Sequence, residues 1–185
     1  PLDSSAVSLI GSSTWPPPWT RLPILRVGSR SPSTTRAADA VSIEAGWRAW
    51  LRTLFPAYLS TVTGEPIPFA PHHADIWDWV WALRSGVKPP AQGSVLARGG
   101  GKSTNAEAAC VAVGARRVRR YGWYICGTQD QADDHVVNVG SMLESDALAY
   151  YYPDLADRDV NKFGTSKGWR RNRLRTRDGF TIDAL

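Results

Sequence analysis

Between residues 42 and 55 the apolar side chains Ile43, Trp47, Trp50, Leu51 and Leu54 recur at three- and four-residue steps. That spacing lines one face of an α-helix, with Ser42 placed to cap it and Pro56 to stop it. A second helix is expected over 71–85. Pro71 suits a first turn, Ile76, Trp77, Val80, Trp81 and Leu83 supply apolar bulk, and Gly86 ends the run. Residues 88–93 are turn-rich and lead into a short apolar segment, 94–97, that predicts a buried strand. The alanine-rich, proline-free stretch 105–118 predicts a helix, and the GWYIC run at 122–126 a second strand. Thr128, with Gln131 three residues on, has the form of a capping box. It opens a helix whose apolar face is Ala132, Val136, Val139 and Leu143. Residues 169–183 alternate about Asp178-Gly179 and predict a β-hairpin, with Arg173, Arg175 and Arg177 on one face.

The order strand, loop, helix, strand, helix predicts an α/β fold: a parallel sheet with flanking crossover helices, and a β-hairpin added at its C-terminal end. Residues 1–41 lack such periodicity. They are rich in Pro, Ser and Thr, include the WPPPW motif from Trp15 to Trp19, and read as a disordered leader ahead of a domain spanning 42–185.

Composition changes this picture little. At 185 residues and 43% hydrophobic content the chain suits one globular domain plus a tail, and nine tryptophans demand burial or a partner surface. Cys110 and Cys126 lack metal-ligand spacing and read as inert core thiols of a reducing compartment. His72 and His73 are adjacent and His135 is separate, so no zinc site is suggested. No apolar run reaches membrane-spanning length and no secretory signal is evident, which predicts a soluble intracellular protein with no membrane partner.

Charge is more informative. The formal excess is +5, and residues 162–185 hold seven cations against two anions, so the whole excess falls there. Such a cluster is either an electrostatic footprint for a polyanion or one solvated face of a hairpin. The earlier run Arg116, Arg117, Arg119, Arg120 ends the alanine-rich helix, where cations complement its dipole.

The strongest chemical signal is VLARGGGKST, residues 95–104. Gly99, Gly100 and Gly101 free the backbone so that several N–H groups can converge on phosphate oxygens. A helix starting near Ser103 adds its positive end. Lys102 brings a full cation, and the hydroxyl of Ser103, followed by Thr104, suits the Mg2+ that accompanies a triphosphate. The full phosphate-loop pattern asks for glycine where Leu96 stands, so the match is to a shortened form led by Arg98. A surface turn that merely contains Gly-Lys-Ser is the alternative.

These residues resemble the N-terminal ATPase portion of the large terminase subunit of tailed bacteriophages. Four stretches within roughly 47–185 carry the likeness: LARGGGKST, the aromatic-rich PFAPHHADIWDWVW from Pro68 to Trp81, Thr128-Gln129-Asp130-Gln131-Ala132, and the ending from Gly168 to Ala184. Only the first is specific alone. The resemblance implies an incomplete P-loop ATPase that binds ATP and Mg2+ to drive double-stranded DNA into capsids. The fragment alone is expected to be inactive. Lys102 would sit on the β/γ-phosphates, with Gly99, Gly100, Gly101, Ser103 and Thr104 around them and Ser103 on the metal. Arg98 would act in cis on the γ-phosphate. Phe69 and His73 are candidates to stack on adenine. A portal, a small terminase subunit and the cytoplasm of an infected bacterium are implied as partners and location.

Phosphoryl hydrolysis also needs an acidic strand end. Asp183 follows Phe180-Thr181-Ile182, yet Ala184 stands where a catalytic glutamate belongs. The acidic strand and the nuclease domain of the family are therefore expected to be missing from the sequence. Two other readings stay open: a different loop-type ATPase, helicase-like in class, and a non-catalytic nucleic-acid-binding fragment resting on the cations of 162–177.

Overall fold

The computed structural model describes residues 34–61 and 63–185. It is a mixed α/β structure of helices and one small three-stranded sheet. The expected leader lies outside the described residues up to position 33. From Thr34 the chain is already helical, as α1 (Thr34–Ile43), so the leader boundary at 41 falls inside a helix. The single helix expected over 42–55 is two. Gly46 is extended, with φ −163°, and accepts at its carbonyl the first bond of α2 (Trp47–Leu54), from the Trp50 amide at 3.1 Å. Glycine is a poor helix former, and here it separates α1 from α2.

Proline at the first position opens α3 (Pro71–Ala82) as expected, but the helix stops at Ala82. Its last carbonyls are taken by another element: the Arg116 guanidinium donates to Val80 O and Trp81 O, each at 3.0 Å, and lies over the Trp81 ring. Arg116 therefore serves the C-terminus of α3 rather than that of its own helix. That helix, α4 (Lys102–Ala115), begins one residue before the start expected near Ser103 and ends three before the expected finish at 118. It closes through Val118 N→Val113 O and Arg117 N→Gly114 O, with Arg117 in the left-handed region at φ 53°. Residues 118–120 thus fall outside the helix.

β1 (Tyr121–Tyr124) leads to α5 (Gln129–Leu143), capped by Thr128, whose side chain accepts from the Gln131 amide, one of the two bonds of the expected capping box. Two short helices follow, α6 (Asp146–Tyr151) and α7 (Pro153–Ala156). The hairpin forms from β2 (Arg173–Arg175) and β3 (Thr181–Ala184), with Gly179 at φ 88° in its turn. Thr176, fully buried, donates to Asp178 Oδ1 at 2.6 Å and holds that turn. Arg177 lies in the turn, so only Arg173 and Arg175 share the strand face.

Strand order is β1-β3-β2, with β1 parallel and β2 antiparallel to β3. The sheet is mixed rather than parallel. The strand expected over 94–97 is not formed: residues 83–101 carry neither helix nor strand, and Val95 is fully exposed. A short apolar run becomes a strand only when a neighbour supplies ladder hydrogen bonds, and no described strand pairs with it.

One sheet face, with Leu174, Ile182 and Ala184, is buried against the helices, while Trp123 on the other is 58% exposed. The core runs from Ile182 and Leu174 through Val136, Val139 and Val111 to Trp77 and Trp50. The aromatic end is satisfied as well as packed. Trp47, Trp50, Trp77 and Trp81 place their indole N–H groups on Asp78, Tyr152, Asn105 and Glu44, as buried indoles require.

Candidate functional site

Residues 97–100 make a tight turn closed by Gly100 N→Ala97 O at 3.1 Å, with Gly99 at φ 84°. Gly101 follows at φ 71° and is the N-cap of α4. Both angles lie where side chains are strained, which gives two of the three glycines a backbone reason. Added bulk at Gly101 would also come within 3.2 Å of Asn105 Nδ2.

The first helical hydrogen bond of α4 is Asn105 N→Gly101 O, at 2.9 Å. Among the described residues, the amides of Gly101, Lys102, Ser103 and Thr104 donate to no acceptor. A helix N-terminus leaves such donors free, and they carry its partial positive charge. Arg98, Lys102 and Ser103 are exposed beside them. Arg98 and Lys102 form no ion pair among the described residues. Thr104 is half-buried, facing a hollow of about 160 Å³ with Gly101, Phe69, His73, Trp77 and Met142. The structure thus brings the sequence-derived residues 98–104 to one helix start, and Phe69 and His73 to its flank.

His73 and Phe69 are both engaged already. The Ala70 amide donates to His73 Nδ1 at 3.3 Å, so the ring proton sits on Nε2, which donates to Gly100 O at 3.1 Å. Phe69 meets the Trp47 ring edge-on at 4.9 Å and carries the Arg52 guanidinium over its face at 5.1 Å. Asn105 is the residue that sequence reasoning missed. Its Nδ2 donates to Gly101 O at 2.8 Å, and its Oδ1 accepts from Trp77 Nε1 at 2.6 Å. An asparagine one turn after the last glycine was the available signal.

Deeper along α4, Glu107 is buried at 5% exposure. It accepts from His135 Nδ1 at 2.6 Å and Asn138 Nδ2 at 3.0 Å, both on α5. Burial, with Glu107 nearby, pushes the Cys110 thiol up to about 12 and raises the Tyr124 phenol. A neutral thiol at physiological pH accords with an inert cysteine. Among the described residues no group of three or more His, Cys, Asp or Glu could hold a metal ion. Any Mg2+ at the Ser103 hydroxyl would take its other ligands from nucleotide oxygens and water.

The cationic C-terminal segment is largely neutralised. Arg173 pairs with Asp183, which also accepts from the Tyr121 hydroxyl, and this holds the Asp183 carboxyl below its usual range. Arg175 and Lys167 share Asp159 at 2.9 and 3.1 Å. Arg171 meets Asp134 at 3.0 Å, and Arg177 meets Asp157 at 2.7 Å. Five of the seven cations therefore face carboxylates drawn from α5, β3 and the loop after α7. Asp183 is a strand residue held in an ion pair with Arg173.

No family model, curated protein or solved structure matches the chain. Among the described residues no helix is long and apolar enough to cross a membrane.

Proposed function

We propose that residues 98–104 bind the triphosphate of ATP and that the chain is the N-terminal part of a DNA-packaging motor ATPase of the large-terminase type. The observation that carries this reading is the glycine turn entering α4, where four amides and two exposed cations stand together without partners among the described residues. Free donors and two cations stand there together at a helix start, and no protein group neutralises them among the described residues. The motor assignment rests on the motif resemblance.

Lys102 supplies the charge on the outer phosphates, and its primary amine at the helix start reaches them as a flexible point charge. Arg98, exposed on the turn before the glycines, would meet charge developing on the transferred phosphoryl. The Ser103 hydroxyl would hold Mg2+, which would supply charge neutralisation at the phosphates. The apolar hollow beside Gly101 and Thr104, floored by Met142 and Trp77, suits a flat base next to the phosphates. Hydrolysis would also need a carboxylate to polarise the attacking water, a part assigned here to no described residue, so the reading is one of nucleotide binding.

Titration of a fluorescent ATP analogue tests the site. The parent chain should bind it, and Lys102→Ala should weaken binding at least about tenfold, the scale of one charge-assisted contact. Equal affinity of variant and parent would remove the assignment.

A further inference from the structure

We infer that His73 and Asn105 are positioning residues that aim the amides of the glycine loop, with Trp77 holding Asn105 in place. The inference rests on the reading of residues 98–104 as a triphosphate cradle and adds the machinery that orients it.

In a trans peptide the C=O of one residue and the N–H of the next point in opposite directions. Fixing a carbonyl therefore fixes the direction of the following amide. The Gly100 carbonyl is taken by His73 Nε2–H at 3.1 Å, so the Gly101 N–H points away from α3. The Gly101 carbonyl is taken twice, by the Asn105 backbone amide at 2.9 Å and by Asn105 Nδ2 at 2.8 Å. It therefore points along α4, and the Lys102 N–H points out of the helix start. Two hooks set two consecutive donors.

Glycine makes the hooks necessary. Gly100 and Gly101 have no Cβ to bias their torsions, and a loop free to rotate would lose its aim between ligand encounters. Holding donors before the ligand arrives avoids that ordering cost. The hooks are themselves anchored. The Ala70 amide fixes the His73 tautomer. The Trp77 indole donates to Asn105 Oδ1 at 2.6 Å from a fully buried ring. Trp77 in turn packs on Trp47, Trp50 and Trp81, with centroids 6.1 to 6.5 Å away. The aromatic helix α3 thus has a definite relation to a loop 27 residues further along the chain, one that packing alone would not need.

The experiment compares His73→Ala, His73→Gln, Asn105→Ala and Lys102→Ala in the full chain by two readouts. One is affinity for the fluorescent ATP analogue. The other is amide hydrogen exchange without nucleotide at Gly100 in the loop and at position 105 in the first turn of α4, the two amides whose bonds the hooks brace. Exchange at Val136 and Val139 in the core reports whether each variant keeps the fold.

Loss of one net hydrogen bond predicts about fivefold weaker binding and about fivefold faster loop exchange for His73→Ala and for Asn105→Ala, with core exchange unchanged. Gln at position 73 retains a side-chain N–H for Gly100 and should restore both readouts to within about twofold of the parent. If Lys102→Ala weakens binding while His73→Ala and Asn105→Ala match the parent, the positioning role is overturned and the phosphate site stands. If the parent binds no analogue, the site reading falls, and loop exchange alone judges the hooks: unchanged rates in both alanine variants overturn them. Core exchange that rises with loop exchange, without rescue by Gln, also overturns the role, because the two residues would then be merely structural.

Discussion

Arg117 shows how a single residue can sit against its own preference. It occupies the left-handed position that ends α4, at φ 53°, where glycine is usual. An L-residue there costs on the order of 1 kcal/mol. Arg117→Gly should therefore raise stability by up to about 1 kcal/mol, read as a higher urea midpoint at unchanged slope. A lower midpoint would mean that the arginine side chain contributes more than its backbone costs. The run of four arginines at 116–120 gives no hint of this division of labour, because only the backbone trace separates Arg116, which caps α3, from Arg117, which strains. His73 makes the same point at the loop. The sequence nominates it as a candidate to stack on a base, while its ring nitrogens are committed to Ala70 and Gly100.

At the scale of elements, α4 is the link between the aromatic helices and the sheet. Its glycine at position 114 is not a flaw in an otherwise good helix. A Cβ there would come within 2.7 Å of the Phe180 ring, which is buried at the hairpin. Gly114→Ala gains helix propensity of about 1 kcal/mol but overpacks a rigid ring, at about 1–3 kcal/mol. A net loss of about 1 kcal/mol is expected, read as a lower thermal midpoint; a gain would show that Phe180 moves aside freely. Helices α3, α4 and α5 were legible from apolar residues, an alanine-rich run without proline, and the Thr128 cap, since those signals are local. The break at Gly46 and the missing strand at 94–97 were not. The first depends on one backbone torsion, and the second on a neighbour to pair with.

For the whole molecule, charge is where sequence and structure part most clearly. The +5 excess concentrated in residues 162–185 suggests a polyanion surface, yet five of those seven cations meet carboxylates. Paired arginines offer little net field to DNA. Four phosphate contacts would cost about a hundredfold in affinity between roughly 50 and 200 mM salt, and two contacts about tenfold. Measured duplex binding should fall no more than about tenfold over that range. A hundredfold fall would mean that the ion pairs open to engage DNA, and it would revive the nucleic-acid-binding alternative.

By itself the sequence determined the main helical stretches of α2, α3, α4 and α5 and the hairpin turn, and it nominated the phosphate-loop candidates, because periodicity, caps and glycine clusters act over a few residues. Only the tertiary structure decided which carbonyls and carboxylates those residues meet. It brought His73 and Asn105 onto the glycine loop, put Arg116 on α3, and neutralised the C-terminal arginines with acids from α5, β3 and the loop after α7. The pairing from His73 to the loop spans 27 residues, and those from Arg116 to α3 span 35 and 36. Separations of that size are closed by packing of the core, which no local pattern encodes.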